Sequence, residues 1–191
     1  MKILAATGNK GKIREFSQIL TPLGFETVSP NDLGLDLDPD ETGKTFAENA
    51  KIKAIAFMQA SNMPVIADDS GLMVDYLDGA PGVYSARYAE GSDADRYKKL
   101  LKNMTDAENR SARFVSSVCM VFPDGKTIEA EGTCEGVIAH FPSGENGFGY
   151  DPVFYIPSMG KTIAEMSADE KNAISHRGKA LRLLAEKLKN E

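Results

Sequence analysis

Ala112-Arg113-Phe114-Val115-Ser116-Ser117-Val118-Cys119-Met120-Val121-Phe122 is the stretch that decides the fold. In an extended chain Ala112, Phe114, Ser116, Val118, Met120 and Phe122 share one face, and the other face also carries Val115 and Val121. Apolar residues on both faces mark a central strand covered on both sides. Pro123-Asp124-Gly125-Lys126 then turns the chain, and residues 127–139 read as the hairpin partner. A last strand near residues 153–156 precedes two helices, the second carrying Leu181, Leu184, Ala185 and Leu188.

On the N-terminal side, residues 3–6 form a short buried strand. A loop leads from it into a helix striped by Ile13, Phe16, Ile19 and Leu20. Pro22 and Gly24 end that helix, and residues 25–28 read as a second strand. Residues 31–41 are acidic and loop-like. Thr45 and Glu48 form a capping box that opens a helix through Ala60, with Ala47, Ala50, Ala54 and Met58 on one face. A strand at residues 65–67 is expected to stop at Asp68-Asp69-Ser70-Gly71 and to resume over residues 72–76. A capped helix over residues 92–104 turns Tyr97, Leu100, Leu101 and Met104 inward. The order is mixed α/β with an antiparallel centre and helices on the faces.

The 191 residues suit a single domain, residues 1–191, with one good core. No apolar run reaches the roughly 20 residues of a membrane span, and the N-terminal apolar run is too short for a signal peptide. A cytoplasmic protein is expected. The net charge of −6 argues against broad binding to nucleic acid but leaves room for a small phosphate ligand. Cys119 and Cys134 flank the hairpin turn. Pairing Cys119 near Ala130 leaves Cys134 roughly 13 Å further along, too far for a disulfide.

Polar clusters stand where elements end, which is where function concentrates. Thr7-Gly8-Asn9-Lys10-Gly11-Lys12 joins a strand to a helix N-terminus, which offers backbone N–H groups and a favourable dipole to an anion. Its spacing is not that of a P-loop, and it reads equally as a plain turn with a solvated lysine. Asp68-Asp69 puts two carboxylates side by side after a buried strand, where a divalent cation relieves their repulsion. An Asp-rich turn is the other reading. Glu41 lies in the acidic loop and Lys53 on the next helix; neither stands out alone. Gly147-Phe148-Gly149-Tyr150-Asp151-Pro152 suits stacking and hydrogen bonding of a base, or is a turn whose aromatics fill the core. His176-Arg177 follow Ser175, an N-cap of the final helix, where cations oppose the dipole; a surface pair is the alternative.

In this order, Thr7-Gly8-Asn9-x-x-Lys12, Glu41-Thr42-Gly43, Phe46-x-Glu48-Asn49-Ala50-x-x-Lys53-Ala54, Ala67-Asp68-Asp69-Ser70-Gly71-Leu72, Phe148-Gly149-Tyr150-Asp151-Pro152 and Ser175-His176-Arg177 resemble the inosine triphosphate pyrophosphatase family. The resemblance runs from Leu4 to nearly the last helix. It implies a long twisted mixed sheet flanked by helices, in two lobes with the active site in the cleft between them. It implies hydrolysis of damaged purine nucleoside triphosphates (ITP, dITP, XTP) to monophosphate and pyrophosphate, with Mg²⁺ held by Glu41 and Asp69. Asp69 is also the expected proton acceptor. Thr7, Gly8, Asn9, Lys10, Gly11, Lys12 and Lys53 are expected to hold the triphosphate and Ser70 to touch substrate. Phe148, Gly149, Tyr150, Asp151, Lys171, His176 and Arg177 are expected to enclose the base, and a homodimer is implied.

The residues agree with that chemistry. A metal neutralises phosphate charge while a carboxylate orients and deprotonates water. Donors on His176 and Arg177 favour a base with oxygen at position 6 over adenine. A pyrophosphatase for modified pyrimidine nucleotides is the nearest rival. A nucleotide-binding regulatory domain is another, but it has no need of Glu41, Asp68 and Asp69 together.

Overall fold

The computed structural model describes residues 1–189. The elements run β1 (Lys2–Ala5), α1 (Lys10–Leu20), β2 (Glu26–Val28), α2 (Phe46–Ser61), β3 (Val65–Val74), α3 (Asp93–Asn103), β4 (Ser111–Val121), β5 (Thr127–Ile138), β6 (Phe154–Ile156), β7 (Lys161–Thr162), α4 (Ala168–Ile174) and α5 (His176–Lys189). The strands form one open mixed sheet of seven, ordered β2-β1-β3-β4-β5-β6-β7. β1 pairs in parallel with β2 and β3, while β6 pairs antiparallel with β5 and β7. β4 is buried along both faces from Phe114 to Val121. That is the pattern of a central strand.

The chain divides into two compact units. Unit 1 holds residues 1–69, 116–132 and 176–191, and unit 2 holds residues 70–115 and 133–175. Unit 1 has a core on each face of its strands. On one face Ile3, Ala5, Ile66, Val118 and Met120 meet Phe16 and Leu20 of α1 and Leu181 and Leu184 of α5. On the other, Leu4, Ala6, Val65, Ala67, Cys119 and Val121 meet Ala50, Ala54 and Phe57 of α2. Gly132 lets the start of α5 come close, since a Cβ there would lie 2.6 Å from the Ala180 nitrogen. Unit 2 has its own core, in which Leu72, Leu100, Met104, Phe114, Tyr150 and Phe154 take part.

Three expectations are corrected. Asp68-Asp69-Ser70-Gly71 does not interrupt a strand: β3 runs through it without a break, ending at Val74 in a 3-10 turn over Asp75–Leu77. The turn-forming residue types are overridden because β3 is an interior strand with a neighbour on each side. Ala47 is exposed, and the buried face of α2 is Phe46, Asn49, Ala50, Ala54 and Phe57. β7 has only two residues and left no periodic signal. The capping boxes at Thr45 and Ser92 are both formed. Both cysteines are free and buried, and burial, aided by the Glu129 charge, pushes the Cys119 thiol up to about 12. Among the described residues no helix is long and apolar enough to cross a membrane.

Candidate active site

Side chains alternate along a strand, so consecutive aspartates on β3 face opposite ways. Ile66 packs toward α1 and α5, and Asp68, two residues on, follows it; Ala67 packs toward α2, and Asp69 follows that. The two carboxylates therefore meet different partners.

Asp68 is wholly buried between two cations. Its Oδ2 accepts from Arg177 Nε at 3.1 Å and Nη2 at 3.0 Å, and Lys12 Nζ lies 3.1 Å from its Oδ1. Arg177 is itself 1% exposed, and its Nη1 donates to the buried carboxylate of Glu15 on α1. Burial pushes the Asp68 carboxyl up, but the charges of Lys12, Arg177 and Lys53 together outweigh it and hold it below the ordinary 3.8. Burial likewise pulls Arg177 down, and Asp68 and Glu15 more than restore it. For Lys12 burial prevails and its pKa falls, although Asp68 opposes the shift.

Asp69 stands in another environment. Asn49 Nδ2 on α2 donates to its Oδ2 at 3.0 Å. Burial pushes its carboxyl up, with the Glu41 charge adding to the rise, while the Asn49 hydrogen bond and the charges of Lys12 and Lys53 pull the other way. Glu41 is bound to Lys53 Nζ at 2.6 Å, and the same ammonium donates to the Asp68 carbonyl at 3.3 Å. One member of the aspartate pair is neutralised by fixed cations; the other gathers negative charge with Glu41. Among the described residues no three His, Cys, Asp or Glu side chains are grouped to hold a metal.

The loop of Thr7, Gly8, Asn9, Lys10, Gly11 and Lys12 precedes and opens α1. Asn9 is the N-cap: its Oδ1 accepts from the N–H groups of Gly11 at 2.8 Å and Lys12 at 3.2 Å, and Thr7 Oγ1 accepts from Asn9 N. A cap that takes two first-turn donors leaves an anion the Gly8 and Lys10 end of the loop, where Gly8 has open space around it. His176 opens α5 and is buried.

The remaining expected residues belong to unit 2. Ser70 is half-buried on β3. Lys171 Nζ bonds Asp151 Oδ2 at 2.7 Å and sits 4.6 Å above the Phe148 ring. The Phe148 N–H donates to the same carboxylate, and Gly149 N donates to Asp93 Oδ2 at 2.7 Å. Tyr150 is 4% exposed, its ring is in the unit 2 core and its hydroxyl donates to the Ser85 carbonyl. Burial pushes its pKa up. This side chain fills the core, which is the alternative the sequence allowed for the loop's aromatics.

Two residues escaped the sequence reading. Glu15 sits beside Phe16 on the buried face of α1, and a carboxylate in that place was the available signal. Asn49 lies within a quoted motif, on the buried face of α2, where an amide has to find partners.

The model of the Ham1 family matches residues 3–187. A dITP/XTP pyrophosphatase of Exiguobacterium sp. is 52% identical, covering 96% of this chain and 95% of its own. One of Haemophilus influenzae is 51% identical, covering 98% of each. Among solved structures, a HAM1 protein from Coxiella burnetii gives a TM-score of 0.89 at 40% identity, covering 100% of both chains. The Staphylococcus aureus Ham1 protein gives 0.88 at 44%, covering 100% of this chain and 99% of that one. The family match spans nearly the whole chain, and the chain belongs to the Ham1 family.

Proposed function

We propose that this protein hydrolyses damaged purine nucleoside triphosphates, ITP, dITP and XTP, between the α- and β-phosphates, giving the monophosphate and pyrophosphate. The observation that carries this reading is the division of labour between Asp68 and Asp69. Asp68 is sealed by Arg177 and Lys12, whereas Asp69 is a carboxylate of raised pKa beside Glu41. Kinship with proteins named dITP/XTP pyrophosphatase supports the substrate class.

Glu41 and Asp69 suit Mg²⁺. Both are hard oxygen donors, their charges burden each other, and a cation would relieve that burden. Two carboxylates are enough, because Mg²⁺ takes its other ligands from water and substrate phosphates. When bound, the metal neutralises phosphate charge. Asp69 takes the proton of the attacking water, which needs a carboxylate of raised pKa. Lys12, Lys53 and the Gly8 and Lys10 N–H groups hold the phosphates, and pyrophosphate leaves as the α-phosphorus gains its new oxygen. His176 and Arg177 donate to a 6-oxo base edge. For Arg177 this requires exchanging a bond that it makes here to Asp68 or Glu15. Phe148 with Lys171 and Asp151, taken alone, offers an aromatic face and a charged pair of the kind that receives a base. We further propose a cytoplasmic homodimer, which light scattering coupled to size exclusion tests.

Incubation with ITP and Mg²⁺, followed by product identification, tests the reaction. IMP and pyrophosphate are expected, with turnover abolished by EDTA. IDP and orthophosphate as first products overturn the proposal.

A further inference from the structure

Asn49 occupies an unusual place for an amide. It is 1% exposed on the inward face of α2, in line with Phe46, Ala50 and Ala54, where an apolar residue would need no hydrogen bonds. Both ends of its carboxamide are used. Oδ1 accepts from the Gly43 N–H at 2.8 Å, and Nδ2 donates to Asp69 Oδ2 at 3.0 Å. The Gly43 N–H can only donate, so it fixes which end of the amide faces Asp69. The amide thus presents a donor to the carboxylate and pins its rotation. Gly43 is two residues from Glu41, and a Cβ on Gly43 would lie 2.6 Å from Asn49 Oδ1. The helix that carries Asn49 is itself anchored by the Thr45 and Glu48 capping box one turn earlier.

We infer that Asn49 is a positioning residue: its carboxamide is a strut that holds the Glu41 loop and Asp69 at a fixed separation and orientation. This rests on the reading of Glu41 and Asp69 as the metal carboxylates. Partners that orient a ligating carboxylate typically change metal affinity or activity by about 10- to 100-fold when removed. The bonds of the strut itself go to Gly43 and Asp69 and to neither Lys12 nor Lys53, so its loss is expected to act on kcat more than on KM.

The test uses the full chain. Mn²⁺ binding to nucleotide-free protein is titrated by electron paramagnetic resonance, beside ITP kinetics at saturating metal and a thermal melt. Asn49→Leu, which keeps the bulk and removes both bonds, is expected to weaken Mn²⁺ binding about 10- to 100-fold. It is expected to lower kcat with KM for ITP nearly unchanged. Asn49→Asp keeps the acceptor for Gly43 but replaces the donor with a carboxylate facing Asp69. It decides the matter if the leucine variant does not fold: turnover per folded molecule at saturating metal is expected to fall about 10-fold or more. A lowered Tm with unchanged Mn²⁺ affinity and unchanged kcat overturns the inference and makes Asn49 a packing residue. Wild-type protein that binds no Mn²⁺ overturns the metal reading itself, and the strut with it.

Discussion

The ammonium of Lys53 lies 2.6 Å from Glu41 Oε1 and 3.3 Å from the Asp68 carbonyl, so a side chain proposed to bind phosphate is parked on a carboxylate proposed to bind metal. A lysine and a divalent cation compete for the same Glu41 oxygen. Lys53→Met should then tighten Mn²⁺ binding to the nucleotide-free protein several-fold, up to about 10-fold, a gain of about 1.4 kcal/mol. The same variant should raise KM for ITP. Calorimetric titration with Mn²⁺ measures the first effect, and unchanged or weaker metal binding rules out the competition.

Asp69 sets activity against stability. Its folded pKa is raised, chiefly by burial, so the charged form is disfavoured in the folded chain. Such a group favours folding below its unfolded pKa, and that contribution is lost as pH rises through the folded value. At neutral pH without metal it is a net burden. Asp69→Asn removes the burden together with the proposed proton acceptor. Turnover should fall about 10²- to 10⁴-fold. Tm in metal-free buffer should hold or rise, and a large fall in Tm would show that the carboxylate is needed for folding instead.

Arg177 carries the opposite balance. Truncation to alanine leaves Asp68 and Glu15 buried without their shared cation, and breaking such a pair destabilises by about 3–5 kcal/mol. Urea unfolding of Arg177→Ala should report a loss of that order. Asp68, held below its ordinary 3.8, contributes stability that is complete above that value and drains away as pH falls through its folded pKa. Acid unfolding of Asp68→Asn should therefore depend less on pH below about 4 than that of the parent.

Selectivity separates a base contact from a scaffold. Arg177→Ala should lower kcat/KM for ITP far more than for ATP, since unpaired donors discriminate by roughly 10⁴-fold or more. Any loss of folded protein reduces both substrates alike and cancels in the ratio. Lys12→Ala, which alters a contact to the common triphosphate, should leave the ratio nearly unchanged. Equal losses for both substrates in Arg177→Ala would confine Arg177 to holding Asp68.

The strands and helices were legible wherever periodicity was long. β4 and its hairpin partner could be read because apolar residues fill both faces of one and alternate on the other. The Asp68 to Gly71 stretch was misread as a break because its residue types favour turns, and the cations that let Asp68 be buried in a strand arrive from α1 and α5, far away in sequence. Local reading cannot see a partner 109 residues distant. On α2 an alanine-rich surface blurs the stripe, which placed Ala47 inward and hid the buried amide of Asn49. Tyr150 stood in a motif with Phe148, and only the fold separates the ring facing Lys171 from the one packed in the core.

Arg177 also fixes an order of events during synthesis. Lys12, Glu15 and Asp68 are translated early, but the guanidinium that joins Glu15 and Asp68 lies on α5, close to the C-terminus. Unit 1 is a discontinuous assembly whose third segment carries α5. A nascent chain that has made β1, α1 and β3 must keep those carboxylates hydrated, because burying them without their cation is strongly unfavourable. The N-terminal segments therefore cannot close until α5 has been made, and a chain cut before Arg177 is expected to leave Glu15 and Asp68 in water.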